Sequence, residues 1–172
     1  MSVITFIAYG TRGDVQPAIA LGKALHQRGH TVRVLAGANF SNGIAQHGLI
    51  PLPTEIDMQS IMASEGGRDW VEKGYNPVVQ LRIMGKLLDK HGMQIAQDAW
   101  AACQSSDCII SSFTSDVYAV SMAQKLGIAH ISAPLQPTLF TTKDGRVLLN
   151  APLPNRISWI NHFFGKLFIE TA

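Results

Sequence analysis

The sequence is poor in charge and lacks both long apolar runs and blocks of one sign. Charged residues make up 15% of its 172 residues, below the roughly 25% usual in soluble domains. Polar surface is therefore scarce, and we expect something outside this chain to cover one apolar face. The 14 basic and 12 acidic residues are mixed along the chain. This argues against a nucleic-acid-binding surface, which needs clustered basic residues. No apolar run approaches the roughly 20 residues that cross a bilayer, so no transmembrane helix is predicted.

Cysteine and histidine patterns indicate neither a disulfide framework nor a metal site. Cys103 and Cys108 are too few for a framework and lack CxxC spacing, so both are expected to be small buried side chains. The six histidines show no ligand spacing such as HExxH, and no metal is predicted. The apolar stretch at residues 3–8 has no basic region before it. It is therefore not typical of a secretory signal, and the chain is expected to be cytoplasmic.

Strand and helix patterns alternate along the chain, an order typical of a parallel sheet flanked by helices. Strands are predicted at residues 2–8, 31–36, 49–52, 107–112 and 128–133. Helices are predicted at residues 14–28, 39–46, 77–103, 116–125 and 157–169. Residues 53–76 fit neither pattern and are interpreted as an insertion with broken helical turns. The chain length suits one α/β domain over residues 1–172.

The loop after the first strand, Gly-Thr-Arg-Gly-Asp at residues 10–14, is the first candidate for a ligand site. Ligands of open parallel sheets bind beyond the carboxyl ends of the strands, where a helix N-terminus offers free N–H donors. Gly10 and Gly13 allow close approach, and Thr11 and Arg12 add a hydroxyl group and a cation, so the loop could contact a phosphate. Neither GxGxxG nor Gly-Lys-Ser/Thr is present, which argues against NAD-dependent and P-loop proteins.

Asp14 has two interpretations that its spacing alone does not separate. It could be the N-cap of the first helix, a position that favours Asp. It could also be a carboxylate at the ligand edge of the sheet that accepts a proton from a hydroxyl group. Asp116 stands before a later helix, and there an N-cap is predicted.

The residues around this loop resemble the start of a known enzyme family. They read YGTRGDVQP at residues 9–17, ALGKAL at 20–25 and RGHTV at 28–32. This is similar to the sterol-, lipid- and antibiotic-type nucleotide-sugar glycosyltransferases of families 28 and 1, which have the GT-B fold. The match is specific over residues 2–37 and looser to about residue 137. It implies a Rossmann-like, acceptor-binding N-terminal domain that ends before its last elements, with the nucleotide-sugar-binding C-terminal domain outside this chain.

The resemblance also implies a reaction at the loop. A hexose would move with inversion from a UDP- or dTDP-sugar, a co-substrate rather than a cofactor, to a hydroxyl group of a lipophilic acceptor such as a sterol, glycolipid, polyketide or peptide. Asp14 would be the base, and Gly10, Thr11, Arg12 and Gly13 would face the donor phosphates. In plant-type relatives the position of Asp14 is a His held by an Asp, whose place here falls near residue 113. No carboxylate stands there, so the sequence resembles the sterol and antibiotic branch.

The acceptor is expected to lie among the loops after the third, fourth and fifth strands. Its predicted contacts are Met58, Met62, Trp70, Phe113 and Gln136. Methionine and aromatic side chains suit a lipophilic molecule because they adapt to its shape, although the same residue types also fill cores. The expected partners are the acceptor, the sugar nucleotide, the C-terminal domain of the parent chain and, for a lipid acceptor, a membrane surface, but no nucleic acid.

Two alternatives to a glycosyltransferase stay open at this point. A sugar-nucleotide epimerase of the same fold has a first loop that continues with Pro-Glu, where this chain has Gly13 and Asp14. A non-catalytic binding module would use the sheet edge without chemistry, and Asp14 would then matter for stability alone. For the 172-residue chain by itself, little or no transferase activity is expected because the donor-binding half is missing.

Overall fold

A five-stranded parallel sheet organises the chain. The computed structural model describes residues 1–64, 67–68, 77–135 and 159. The strands are β1 (Val3–Ile7), β2 (Thr31–Leu35), β3 (Ile50–Pro51), β4 (Cys108–Ser111) and β5 (Ala129–Ser132). Their spatial order is β3-β2-β1-β4-β5, and every neighbouring pair is parallel. The predicted α/β class and parallel sheet are therefore confirmed.

Helices connect successive strands. They are α1 (Arg12–Gln27), α2 (Ser41–Gln46) after a short 3-10 turn (Ala38–Phe40), α3 (Met58–Ala63), α4 (Pro77–Cys103) and α5 (Phe113–Leu126). Helix α3 falls within the predicted insertion, while the predicted helix at residues 157–169 lies almost wholly outside the described residues. Within the described part of the chain, no helix combines the length and apolarity needed to span a membrane.

The sheet is buried between two apolar layers because side chains alternate between its faces. On one face Ile7 and Leu35 pack with Ala99 of α4 and Ala119 of α5. On the other face, a second layer joins side chains from β1 and β2 to those of α1 and α2; its members include Phe6, Val34, Val15 and Ile44. Strand β1, central in the sheet, is thus covered on both sides.

Both long helices that follow central strands begin two or three residues earlier than the sequence indicated. The N-cap of α1 is Thr11, and Asp14 lies at the third helical position, where its side chain closes a capping box. The N-cap of α5 is Ser112 rather than Asp116. Asp14 therefore belongs to the capping box without being the N-cap itself. Asp116, predicted to be an N-cap, lies one position beyond the box formed by Ser112 and Ser115, so that prediction was wrong.

The end of α4 is fastened to the sheet by Arg33 of β2. Its guanidinium donates to the carbonyl groups of Ala102 at 3.1 Å and Gln104 at 2.9 Å. The same group donates to the hydroxyls of Thr5 and Ser106, which bond each other at 2.8 Å. A cation at a helix C-terminus satisfies orphan carbonyls and complements the helix dipole. Arg33 therefore joins β1, β2 and the segment before β4 to one helix end.

Candidate functional site

The strand order creates a crevice between the carboxyl ends of β1 and β4. From β1 the chain passes to β2 on one side, and β4 leads to β5 on the other side. Ligands of open α/β sheets bind at such a switch point. A cleft of about 70 Å³ lies there, and its lining is mostly apolar apart from three polar residues. The lining residues are Phe6, Ile7, Ala8, Asp14, Pro17, Ala18, Leu21, Ile110, Ser111, Ser112, Ala133 and Leu135.

Asp14 contributes the one carboxylate in this lining. Its Oδ2 accepts the backbone N–H of Thr11 at 2.7 Å and the Thr11 hydroxyl at 3.1 Å. Its Oδ1 accepts no hydrogen bond from the residues that the structure describes. One oxygen thus holds the start of α1, and the other is left without a hydrogen-bond donor among these residues. The contribution of Asp14 to the helix start therefore engages only one of its two oxygens.

Gly10 makes room for the Asp14 carboxylate. A Cβ atom at position 10 would lie 2.3 Å from Oδ2 and 2.5 Å from Cγ of Asp14, far inside van der Waals contact. At Gly13 the same atom would meet only the Thr11 hydroxyl, at 3.6 Å. The loop therefore needs glycine at position 10 for space, and position 13 carries no such steric requirement.

The predicted phosphate-binding residues are partly engaged within the loop itself. The N–H and hydroxyl of Thr11 are both taken by Asp14. The exposed Arg12 guanidinium lies against the side-chain amide of Gln16, whose oxygen accepts from it at 2.9 and 3.0 Å once the amide is turned over. The N–H groups of Arg12 and Gly13 occupy the first two helical positions and have no intrahelical acceptor. The N–H and hydroxyl of Thr11, by contrast, are both engaged by Asp14 in this conformation.

A second polar group, the Asp116 cluster, consists of Ser111, Asp116, His130 and Ser132. The hydroxyls of Ser111 and Ser132 donate to the two oxygens of the Asp116 carboxylate. The Nε2 atom of His130 lies 2.6 Å from the Ser111 hydroxyl and 3.8 Å from Asp116 Oδ1. Because the single Ser111 proton goes to the carboxylate, His130 Nε2 must carry the proton in its bond to Ser111. Every polar atom of Ser111 is thereby occupied, and the hydroxyl is fixed in the cleft wall.

Sequence reasoning missed the Asp116 cluster. The histidine spacing gave no signal for it, and the members of the cluster come from strands β4 and β5 and helix α5. The available signal was that residues 111 and 132 both end neighbouring strands, and the carboxyl ends of parallel strands share one edge of the sheet. Using that signal requires the strand order, which local patterns do not contain.

The first turn of α5 also ties down the end of β1. The Ser115 hydroxyl donates to the carbonyl of Ile7 at 2.8 Å, and the Thr114 hydroxyl donates to the carbonyl of Tyr9 at 3.0 Å. Ser115 is fully buried, so its bond satisfies a hydroxyl that water cannot reach. The two bonds join α5 directly to the strand that carries the Gly10 loop.

The predicted acceptor residues are only partly within the described structure. Met58 and Met62 belong to α3, and Phe113 is the first residue of α5, next to Ser112 of the cleft lining. Trp70 and Gln136 lie outside the described residues. The role of all five residues as acceptor contacts stays a prediction. Among the residues described, no group of three or more His, Cys, Asp or Glu side chains could hold a metal ion.

Comparison with known proteins identifies relatives of this chain. The model of the glycosyltransferase family 28 N-terminal domain matches residues 4–134. The sterol 3-beta-glucosyltransferase of Pichia angusta is 32% identical over 133 residues, and that of Eremothecium gossypii is 34% identical over 162 residues. These alignments cover 77% and 94% of this chain but 10% and 13% of the relatives. The chain therefore spans about a tenth of the length of the curated relatives that it matches.

Solved structures show the same architecture. A crystal structure of SsfS6, a glycosyltransferase of Streptomyces sp. SF2575, superposes with a TM-score of 0.57 at 23% identity, covering 78% of this chain and 39% of that chain. A structure of SsfS6 complexed with thymidine diphosphate gives a TM-score of 0.54, with 78% and 38% covered. At this level of identity the likeness concerns the fold.

Proposed function

The chain belongs to the family of glycosyltransferase family 28 N-terminal domains, with the Rossmann-like fold of the N-terminal half of a GT-B glycosyltransferase, and from this premise we propose its reaction. The domain binds the acceptor for an inverting transfer of a hexose from a UDP- or dTDP-sugar to a hydroxyl group. Asp14 is the base. The observation that carries this proposal is the unoccupied Oδ1 of Asp14 in a largely apolar cleft.

In the proposed mechanism Asp14 removes the proton of the acceptor hydroxyl through Oδ1. The acceptor oxygen attacks the anomeric carbon, the bond from that carbon to the phosphate oxygen breaks, and the nucleoside diphosphate leaves. A carboxylate is a weak base in water, so its effect depends on a fixed distance to the hydroxyl and on exclusion of water. The two bonds from Thr11 to Oδ2 hold the carboxylate in one orientation. The N–H groups of Arg12 and Gly13 face the charge that develops on the leaving phosphate.

The chemistry of the cleft supports a lipophilic acceptor. Nine of its 12 lining residues are apolar, so an apolar part of an acceptor can pack against them while one hydroxyl reaches Asp14. Relatives named sterol 3-beta-glucosyltransferases support a sterol or a similar molecule, and a lipid acceptor would bring the protein to a membrane surface. The thymidine diphosphate complex of SsfS6 supports a nucleoside diphosphate donor, which a C-terminal domain of the parent chain would bind.

The test is sugar transfer by the full-length parent protein with Asp14→Asn. UDP- and dTDP-sugars are paired with sterol, glycolipid and polyketide acceptors. Asparagine still accepts the Thr11 N–H but takes no proton, so kcat should fall by about 10² to 10⁴ with an unchanged Tm. Asp57→Asn is the matched control, because Asp57 caps α3 through the N–H groups of Gln59 and Ser60 and is not among the residues that line the cleft. Equal activity of the two variants would reduce Asp14 to a helix-capping residue.

A further inference from the structure

We infer that Tyr9 is a positioning residue that holds the Asp14 carboxylate in place for sugar transfer. The inference rests on the proposed function of Asp14. Tyr9 does not line the cleft, and its hydroxyl group points instead toward Asp98 of α4. Three sets of contacts support it: those of the hydroxyl, those of the adjacent backbone and those between the loop and Asp14.

The Tyr9 hydroxyl connects β1 to α4 and to the loop after β3. It donates toward the hydroxyl of Thr54 at 3.1 Å and toward Oδ2 of Asp98 at 3.3 Å. The Thr54 hydroxyl donates to the same oxygen of Asp98 at 2.7 Å, and the Gln94 amide donates to the other at 2.7 Å. Burial, with the nearby Asp98 charge, raises the pKa of Tyr9 above its ordinary value. The hydroxyl therefore stays a neutral donor at physiological pH.

The backbone on both sides of the Tyr9 side chain is held as well. The carbonyl of Tyr9 accepts the Thr114 hydroxyl at 3.0 Å, and the N–H of the preceding residue, Ala8, donates to the carbonyl of Leu35 at 2.8 Å. Only 5% of Tyr9 is exposed to solvent. Side chain and main chain are thus anchored on α4, α5 and β2, immediately before the loop begins.

The Asp14 carboxylate rests directly on the two residues that follow Tyr9. It packs so closely on Gly10 that a Cβ atom there would overlap it, and its Oδ2 is bonded to the Thr11 N–H. No other described residue donates a hydrogen bond to this carboxylate. A displacement of Tyr9 therefore passes through the backbone of residues 10 and 11 to the base, and displacements of about 1 Å change rates strongly.

Tyr9→Phe removes the hydroxyl and keeps the buried ring. The partners remain satisfied, because Asp98 keeps its bonds from Thr54 and Gln94, and Thr54 keeps the N–H of Ile56 at 3.1 Å. The variant should therefore fold. Tyr118→Phe is the matched control, since Tyr118 packs against the same core layer and burial raises its pKa too. Among the described residues, no hydrogen bond joins its hydroxyl to residues 10–14.

The experiment is a double-mutant cycle in the full-length parent protein, with kcat, KM for the acceptor and Tm measured for each variant. Tyr9→Phe should lower kcat about tenfold with KM nearly unchanged. In the Asp14→Asn background the same change should lower the residual kcat by less than about twofold, because a residue that acts through Asp14 has nothing left to position. Tyr118→Phe should leave kcat unchanged in both backgrounds.

Three results would overturn the inference. The first is an unchanged kcat in Tyr9→Phe. The second is an equal loss of kcat in the presence and in the absence of the Asp14 carboxylate, which would make the two residues independent. The third is an equal loss of kcat in Tyr118→Phe, which would attribute the effect to general packing. Failure of the proposed function is distinct, since it would appear as full activity of Asp14→Asn alone.

Discussion

Replacing Gly10 by alanine tests the steric relation between the loop and Asp14. The new Cβ atom would lie 2.3 Å from Oδ2, 2.5 Å from Cγ and 2.8 Å from Cβ of Asp14. The whole side chain must rotate away, and its bonds to the N–H and hydroxyl of Thr11 are lost. Losing a helix cap costs about 1 kcal/mol, and alanine restores about 0.4 to 1 kcal/mol by restricting the unfolded chain. Gly10→Ala should therefore lower the free energy of unfolding by up to about 0.6 kcal/mol.

Gly13→Ala provides the control for this prediction within the same loop. Its Cβ atom would make one ordinary contact, at 3.6 Å from the Thr11 hydroxyl, and position 13 lies within the first turn of α1. This variant should gain about 0.4 to 1 kcal/mol. Urea denaturation of the 172-residue chain measures both changes, and transfer assays of the parent protein should show activity lost in Gly10→Ala. Stability changes of the same sign in both variants, or full activity of Gly10→Ala, would refute the reasoning.

Two further predictions concern stability away from the cleft. Arg33→Met removes the donors to the carbonyls of Ala102 and Gln104. It should lower the free energy of unfolding by about 1 to 3 kcal/mol, measured by urea denaturation. A loss below about 0.5 kcal/mol would contradict the anchoring role of Arg33. Burial raises the pKa of the Cys103 thiol from 9.0 to about 11. Between pH 9 and 11 the folded chain therefore keeps the thiol proton that the unfolded chain releases, and the free energy of unfolding should fall as the pH rises through this range. Denaturation across this pH range should show a smaller fall in Cys103→Ala, and an equal fall in both proteins would disprove the assignment.

Much of the fold could be predicted from the sequence because its signals are local. The alternation of strand and helix patterns depends on residues close together in the sequence, and glycines stand at helix ends. Gly29 follows α1 with a φ of 88°, and Gly127 ends α5 with a φ of 67°, a conformation that other residues rarely adopt. The helix starts were less accurate, since a capping box has a hydrogen-bonding side chain at both of its ends and sequence alone does not show which residue is the cap.

The candidate site divides in the same way between local and long-range information. The loop at residues 10–14, with its glycines and Asp14, was predictable because its residues are adjacent. The same motif indicated the resemblance to the family. Only the tertiary structure decided that Oδ2 of Asp14 is occupied and Oδ1 is not, that Tyr9 bonds Asp98 across 89 positions and that His130 reaches Ser111. The contact between His130 and Ser111 depends on the order β3-β2-β1-β4-β5, and that between Tyr9 and Asp98 depends on how α4 packs on the sheet. Local patterns specify strands but not their order, because the order follows from how the helices pack the two faces of the sheet.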